Sequence, residues 1–319
     1  MTTRVSVLVP SYGRPDSLSR CLAALGAQTR APDEVVVGVR VGDDATIAVA
    51  EEARAAGLPV RVAQTSAAGV VASMRAALDA ATGDIVALTD DDARPFPTWI
   101  EGLLAHFRSA PDVGGVGGRD WQPYERGTAT RVGVVQWFGR VIGNHHLGVG
   151  PARDVDVLKG VNCSYRAPLL RAIGFDERLR GAGAQLYWEL GVCLPMRRAG
   201  WRLIYDPSVA VDHDIAPRLD VDHLHRGVFS EPPLVDAVHN ETVALLESRR
   251  GVARACVLVW AFLIGTGEAP GPIQCARRLL QGDRLAMRRW RAARAGRLAG
   301  ASTEHRSPRR LVVPPPPSR

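Results

Sequence analysis

Short β-branched runs alternate with Ala- and Leu-rich stretches over the first hundred residues. VSVLVP (5–10), EVVVGVR (34–40), VRVAQT (60–65) and DIVALT (84–89) have the composition of strands buried on both faces. Between them, PDSLSRCLAALGAQ, TIAVAEEARAAG and GVVASMRAALDAATG carry helical apolar spacing, and the last two end at a glycine suited to a helix C-terminus. Strand, helix and strand at this spacing predict βαβ units and a parallel sheet, with ligands beyond the carboxyl ends of the strands. PSYGRP and TDDDARP both fall at such ends.

Further along, PTWIEGLLAHF predicts a helix and is followed by the Gly-rich VGGVGG (113–118). Residues 119–156 lack periodicity and read as long loops or a small insertion. Order returns with LKGVNCSYRAPLLRAIG, the glycine loop LRGAGAQ, a helix through WELGVCLPMRRAG and a strand at WRLIYDP. The tail holds an eleven-residue apolar run, ACVLVWAFLIG (255–265), then a basic helix around LAMRRWRAARAGRLAG and a Pro-rich end expected to be disordered. The expected organisation is a nucleotide-binding half (1–110), a catalytic and acceptor half of the same domain (111–246) and a basic helical tail (247–319).

Composition narrows the class. With 319 residues and 46% hydrophobic content the chain can bury a full core. Five cysteines without a CxxC pair indicate neither a disulfide framework nor a zinc cluster, which fits a reducing cytosol. The N-terminus has only a short apolar stretch and no small-residue cleavage site, so no signal peptide is read. The apolar run of the tail falls well short of the roughly 20 residues needed to cross a bilayer. Net charge is +7, yet from Glu247 onward fifteen arginines face four acids, so the rest of the chain is slightly acidic. That distribution argues against a nucleic-acid partner for the main body, since backbone phosphate binding needs cations across the contact face. The Arg-rich tail with Trp290 fits either docking on anionic headgroups or packing on the catalytic domain.

Asp90, Asp91 and Asp92 repel one another at the mouth of the predicted sheet. A divalent cation would relieve that repulsion and could hold a diphosphate, while a solvated acidic turn is the alternative.

Four ordered blocks, VSVLVPSYGRPDSLSRCLAAL, ATGDIVALTDDDARPFPTWIEGL, LKGVNCSYRAPLLRAIGFDERL and RRAGWRLIYDPSVAVDH, resemble those of family 2 glycosyltransferases, inverting enzymes of GT-A fold. The likeness spans about residues 4–217 and leaves out the tail. It implies a Rossmann-like, mostly parallel α/β sheet flanked by helices, extended here by the helical C-terminus. It also implies a nucleoside-diphosphate sugar donor and Mn²⁺ or Mg²⁺ held by Asp92, with Asp90 near the ribose or sugar and Asp91 able to serve in either role. Pro10 and Tyr12 would line the base and Arg14 the ribose or phosphates. Counting back from RRAGW places Trp188 at the first position of the family's acidic pair and Glu189 at the second, making Glu189 the general base that takes the acceptor proton. Gly181 and Gly183 would let a loop close over donor sugar and acceptor, and Trp188 offers an apolar face to an acceptor ring. His213 matches a histidine that many relatives keep near the metal or diphosphate.

Three departures limit what this implies. Val39 and Arg40 stand where relatives place an Asp that reads uracil, so UDP-, dTDP- and GDP-sugars all stay open. Met74 stands where relatives have an Arg, with Arg75 one place later as the candidate for the phosphates. Glu189 lacks its acidic neighbour. Processive synthases carry QxxRW and several membrane spans; here MRRW is preceded by Ala286, so single-sugar transfer is expected. The expectation is a non-processive inverting transferase acting on a glycan or lipid-linked acceptor in envelope or exopolysaccharide assembly, cytoplasmic or peripheral on the inner membrane face. A non-catalytic sugar-nucleotide binder of the same fold is the alternative, and a nucleotidyltransferase a weaker one.

Overall fold

The computed structural model describes residues 3–124, 126–216 and 229–317. The first four strands form where β-branched runs predict them: β1 (Val5–Ser11), β2 (Glu34–Arg40), β3 (Val60–Thr65) and β4 (Ile85–Leu88). They pair in parallel in the order β3-β2-β1-β4. Helices α1 (Pro15–Gly26), α2 (Asp44–Ala55) and α3 (Val70–Ala80) make the crossovers. Successive side chains serve opposite layers: Val5, Val7, Val9, Val35, Val37 and Val39 join one core cluster, Leu8 and Val36 the other. Of the two glycines expected to cap helices, Gly57 does so at φ +101. Gly83 instead admits Ser6, whose Oγ would lie 2.6 Å from an added Cβ.

Beyond β4 the sheet becomes mixed. β5 (Ala93–Pro95) and α4 (Trp99–Ser109) lead to β6 (Val113–Trp121), a small hairpin of β7 (Val134–Val135) and β8 (Val141–Ile142), β9 (Arg153–Val155), β10 (Cys163–Arg166), α5 (Ala167–Ile173), α6 (Trp188–Arg198) and β11 (Arg202–His213). β10 lies antiparallel between β4 and β6, while β11 runs parallel to β6 and antiparallel to β5 and β9. The Gly-rich stretch, not read as a strand in the sequence, is therefore a central one. Its glycines are demanded by close approach: a Cβ on Gly115 would meet the Tyr165 ring at 2.8 Å and Leu203 at 2.9 Å. At Gly118 a Cβ would fall 1.7 Å from the Val209 carbonyl oxygen and 2.6 Å from that of Asp206, where β11 departs from regular register. Gly118→Ala is thus expected to destabilise by more than about 3 kcal/mol through overpacking against backbone. Chemical denaturation measures it, and a wild-type midpoint would disprove the close packing.

The C-terminal region is helical: α7 (Glu231–Ser248), α8 (Gly251–Leu263), α9 (Pro272–Leu280) and α10 (Ala286–Arg306). α7 was not apparent in the sequence; its Leu234 and Val238 bury against Ala292 and Ala293 of α10. The Pro-rich end, expected to be disordered, is laid along the domain as far as it is described. The Trp201 indole donates to the Pro314 carbonyl at 2.7 Å, and Arg309 donates to the carbonyl of Gly191 at 2.9 Å and pairs with Glu247. Leu311 and Val313 rest on the larger core cluster. Fixed polar partners and apolar contacts along this strap outweigh a composition that otherwise favours disorder.

Candidate active site

β4 ends one residue before Thr89, and the three acids follow in a tight turn whose alternation splits them. Asp91 points back into the protein, accepting from Ser11 Oγ at 2.7 Å and pairing with Arg14 at 2.8 Å. Burial pushes its carboxyl up to about 7 against the pull of Arg14 and Ser11. Asp90 and Asp92 face a cavity of about 990 Å³ instead. Asp91, expected at the donor, is therefore an anchor of the turn and is not on the cavity wall.

β5, immediately after the turn, pairs with the end of β11 so that His213 stands opposite Ala93. This pairing brings His213 to the acids although more than a hundred residues separate them. One ligand atom each from Asp90, Asp92 and His213 lie within 4.8 Å of one another. Two carboxylates and an imidazole suit Mn²⁺ or Mg²⁺, so the residues present fit the implied ion. Asp92 is further held by the Ala216 amide at 2.9 Å and by Arg14 at 3.1 Å. Burial alone would raise Asp92; His213, Arg14 and that amide bring it down to about 2. Burial and the Asp92 charge raise Asp90.

Behind this trio lies a pair that the sequence reading did not single out. Asp120, at the end of β6 and fully buried, accepts from Lys159 Nζ and from Gln122, and its Oδ2 lies 3.4 Å from His213 Nδ1. The other ring nitrogen of His213 faces Asp92 at 3.4 Å, so Asp120 fixes which face of the imidazole meets the acids. Burial lowers the His213 affinity for a proton, but Asp120 and Asp92 outweigh it and raise the pKa to about 9. The one available signal was the lone lysine in a chain rich in arginine.

Glu189 sits in the first turn of α6 with its carboxylate on the cavity wall. Two non-glycine residues just before it, Gln185 (φ 44) and Tyr187 (φ 70), adopt the left-handed region, which costs of order 1–3 kcal/mol each. Gln185 is held there by both ends of its amide, accepting from Val71 N at 3.0 Å and donating to Leu179 O at 3.2 Å. Gly160 N donates to Glu189 Oε1 at 3.0 Å. A side chain at position 160 would strike Trp188 at 2.6 Å and that same carboxylate oxygen at 3.1 Å, so only glycine lets this amide reach it. Burial raises the Glu189 carboxyl above its ordinary value, with Asp90 adding to the effect and the Gly160 and Glu189 amides opposing it.

The remaining expected residues divide. Pro10, Tyr12, Arg14 and Arg40 line the cavity, and the Arg40 guanidinium lies 5.6 Å from the Tyr12 ring centroid, with Tyr12 half exposed. Gly183 lines it together with Ala182 and Ala184, whereas Gly181 does not. Trp188 shows one edge to the cavity but is mostly buried, edge-on to Phe175 at 5.5 Å. Arg75 is not brought to the site: it pairs with Glu177 on the outer side of α3 and lines no part of the cavity. Phe229, Glu268 and Arg289, from the C-terminal region and unforeseen in the sequence, also line the cavity.

A sheet of this order, with an acidic turn at the end of β4 above the cavity, is the GT-A fold. A sequence model of the family described as "Glycosyltransferase like family 2" matches residues 3–225, and the chain belongs to that family. It is 27% identical over 222 residues to a glucosyl-dolichyl phosphate glucuronosyltransferase of Haloferax volcanii, covering 66% of this chain and 69% of that one. It is 29% identical over 205 residues to a pre-mycofactocin glycosyltransferase of Mycobacterium tuberculosis, covering 62% of this chain and 41% of the relative. Among solved structures it is similar to the mannosyltransferase PcManGT from Pyrobaculum calidifontis in complex with GDP-Man and Mn²⁺, with TM-score 0.52 and 20% identity over 97% of this chain and 89% of that one. It also resembles S. aureus TarS 1-349 in complex with UDP-GlcNAc, with TM-score 0.56 and 19% identity over 95% and 92% of the two chains. At these identities the structural likeness bears on the fold.

Proposed function

We propose that this protein transfers a single sugar, with inversion, from a nucleoside-diphosphate sugar to a hydroxyl acceptor. The observation that carries the reading is one cavity presenting a cation-compatible trio, a half-buried carboxylate of raised pKa and an aromatic–guanidinium pair. Tyr12 and Arg40 form the end suited to the base, by stacking and cation–π contact. Asp90, Asp92 and His213 would hold Mn²⁺ or Mg²⁺, which when bound offsets charge growing on the departing diphosphate. Arg14, tied to Asp91 and Asp92, holds the turn in place. Glu189 accepts the acceptor's proton as its oxygen attacks the anomeric carbon, and the Gly160 amide keeps the carboxylate aimed. Attack opposite the leaving group in one displacement inverts the centre.

The acceptor reading is a glycan or lipid-linked hydroxyl, supported by the archaeal relative's named lipid-phosphate substrate. The proposed setting is cell-envelope or exopolysaccharide assembly, with the protein peripheral on the inner membrane face. The donor base is tested by thermal stabilisation against UDP-, GDP- and dTDP-sugars with and without Mn²⁺, since a ligand at 100 times its Kd adds about 2.7 kcal/mol. One nucleotide class is expected to raise the melting temperature in a Mn²⁺-dependent way. Stabilisation without any turnover would indicate a sugar-nucleotide binder, and no response from folded protein would overturn the donor assignment.

A further inference from the structure

The Gln136–Arg140 turn between β7 and β8 is clamped to α8. The Phe138 and Trp260 rings lie 5.4 Å apart, and Val257 abuts Gly139, where an added Cβ would come within 3.0 Å of it. This clamp occupies one side of α8. The other side leaves Val252, Val259 and Leu263, at spacings of seven and four, 81%, 58% and 50% exposed. Beside it, Trp137 at the tip of the turn stands edge-on to Phe138 and is 68% exposed. After a tight turn closed by the Gly265–Pro270 bridge, α9 adds Ile273 and Leu280, 58% and 90% exposed. So much large apolar surface on two segments joined by packing is unusual for a face that meets only water.

Charge identifies the occupant. Arg140 and Arg277 are exposed on these same segments and Arg250 and Arg284 just beyond their ends, and residues 249–284 hold six arginines against only Glu268 and Asp283. Exposed aliphatics and an indole among an excess of arginines are the makeup of a surface that lies in the headgroup region of an anionic bilayer. No helix among the described residues is long and apolar enough to span one. We infer that the face formed by the Gln136–Arg140 turn, α8 and α9 docks on an anionic lipid surface. Both arms also border the cavity: Gly143 to His146 follow β8, and Glu268 lies in the α8–α9 turn. Docking would therefore bring this part of the cavity rim to the membrane, where a lipid-linked hydroxyl presents itself. That last step rests on the sugar-transfer reading; the docking does not.

The test is co-sedimentation of the full chain, without donor, with phosphatidylcholine vesicles carrying or lacking phosphatidylglycerol. The wild type is expected to pellet with the anionic vesicles and to be released by salt. Trp137→Ser and Val259→Glu/Leu263→Glu should each weaken partitioning about tenfold or more, since each removes an inserted apolar group. Their melting temperature and donor-induced shift should stay at wild-type values, because these side chains are solvent-exposed. A wild type left in the supernatant, or variants that bind like it, would overturn the docking. So would a wild-type dimer that these variants dissociate, which would make the face a contact between copies. Vesicle binding with no transfer to any acceptor would leave docking intact and count against the enzymatic reading instead.

Discussion

Glu189→Gln is expected to lower kcat roughly 10²–10⁴-fold, the span that a positioned general base contributes. The change is nearly isosteric, and the side-chain carbonyl still accepts from Gly160 N, so the α6 N-terminus keeps its geometry. What is lost is the basic carboxylate. Because burial raises the pKa of this group, the wild type should lose activity on the acid side at a pH above the ordinary carboxylate range, as Glu189 becomes protonated. The sign for stability is the reverse. An acid whose folded pKa is raised costs stability as pH climbs past its unfolded value, so the neutral Gln variant should be at least as stable as wild type near pH 7. Transfer rates across pH and a thermal melt check both statements. A Gln variant turning over at the wild-type rate would remove Glu189 from the mechanism.

Asp92→Ala is expected to abolish Mn²⁺-dependent stabilisation by the donor and to reduce transfer by about 10³-fold, in keeping with the several kcal/mol a bound cation contributes. It also removes the carboxylate that accepts from the Ala216 amide and pairs with Arg14, and that loss adds roughly 1–3 kcal/mol of destabilisation. Asp92→Asn separates the effects. The amide oxygen can still accept from Ala216, so much of the stability should return while the anionic ligand stays missing. Metal-dependent donor binding that survives Asp92→Asn, measured by calorimetry, would assign the cation to other groups.

The fold was most legible where hydrophobic spacing is local. Both faces of β1 and β2 are covered by apolar layers, so their β-branched runs announced themselves. The β6 glycines did not, because what makes them necessary is the Tyr165 ring, Leu203 and the β11 backbone, all distant in sequence. Nor did the direction of β10, which follows some forty residues of short and irregular elements. In the site, Asp90, Asp92 and His213 stood in blocks whose order could be read and Glu189 was reached by counting back from RRAGW; all four line one cavity. Asp91 and Arg75 were drawn into the same expectation by adjacency, yet one turns inward to Arg14 and the other outward to Glu177. Asp120 carried no local signal and Lys159 only its being the lone lysine, since such residues look alike whether they support a site or meet solvent.

By itself, then, the amino-acid sequence determined the alternation of strands and helices through residue 109, the acidic turn at a strand end, the base candidate and the basic character of the tail. The base candidate is what the family resemblance implies; the others follow from periodicity, residue type or charge within a short window. Tertiary structure alone decided that β5 pairs with β11 to bring His213 to Asp92, that Gly160 opens Glu189 to a backbone amide, and that α8 presents its apolar stripe outward beside Trp137. These depend on which distant surfaces are in contact, and side-chain direction across a long separation is set by packing and not by local propensity.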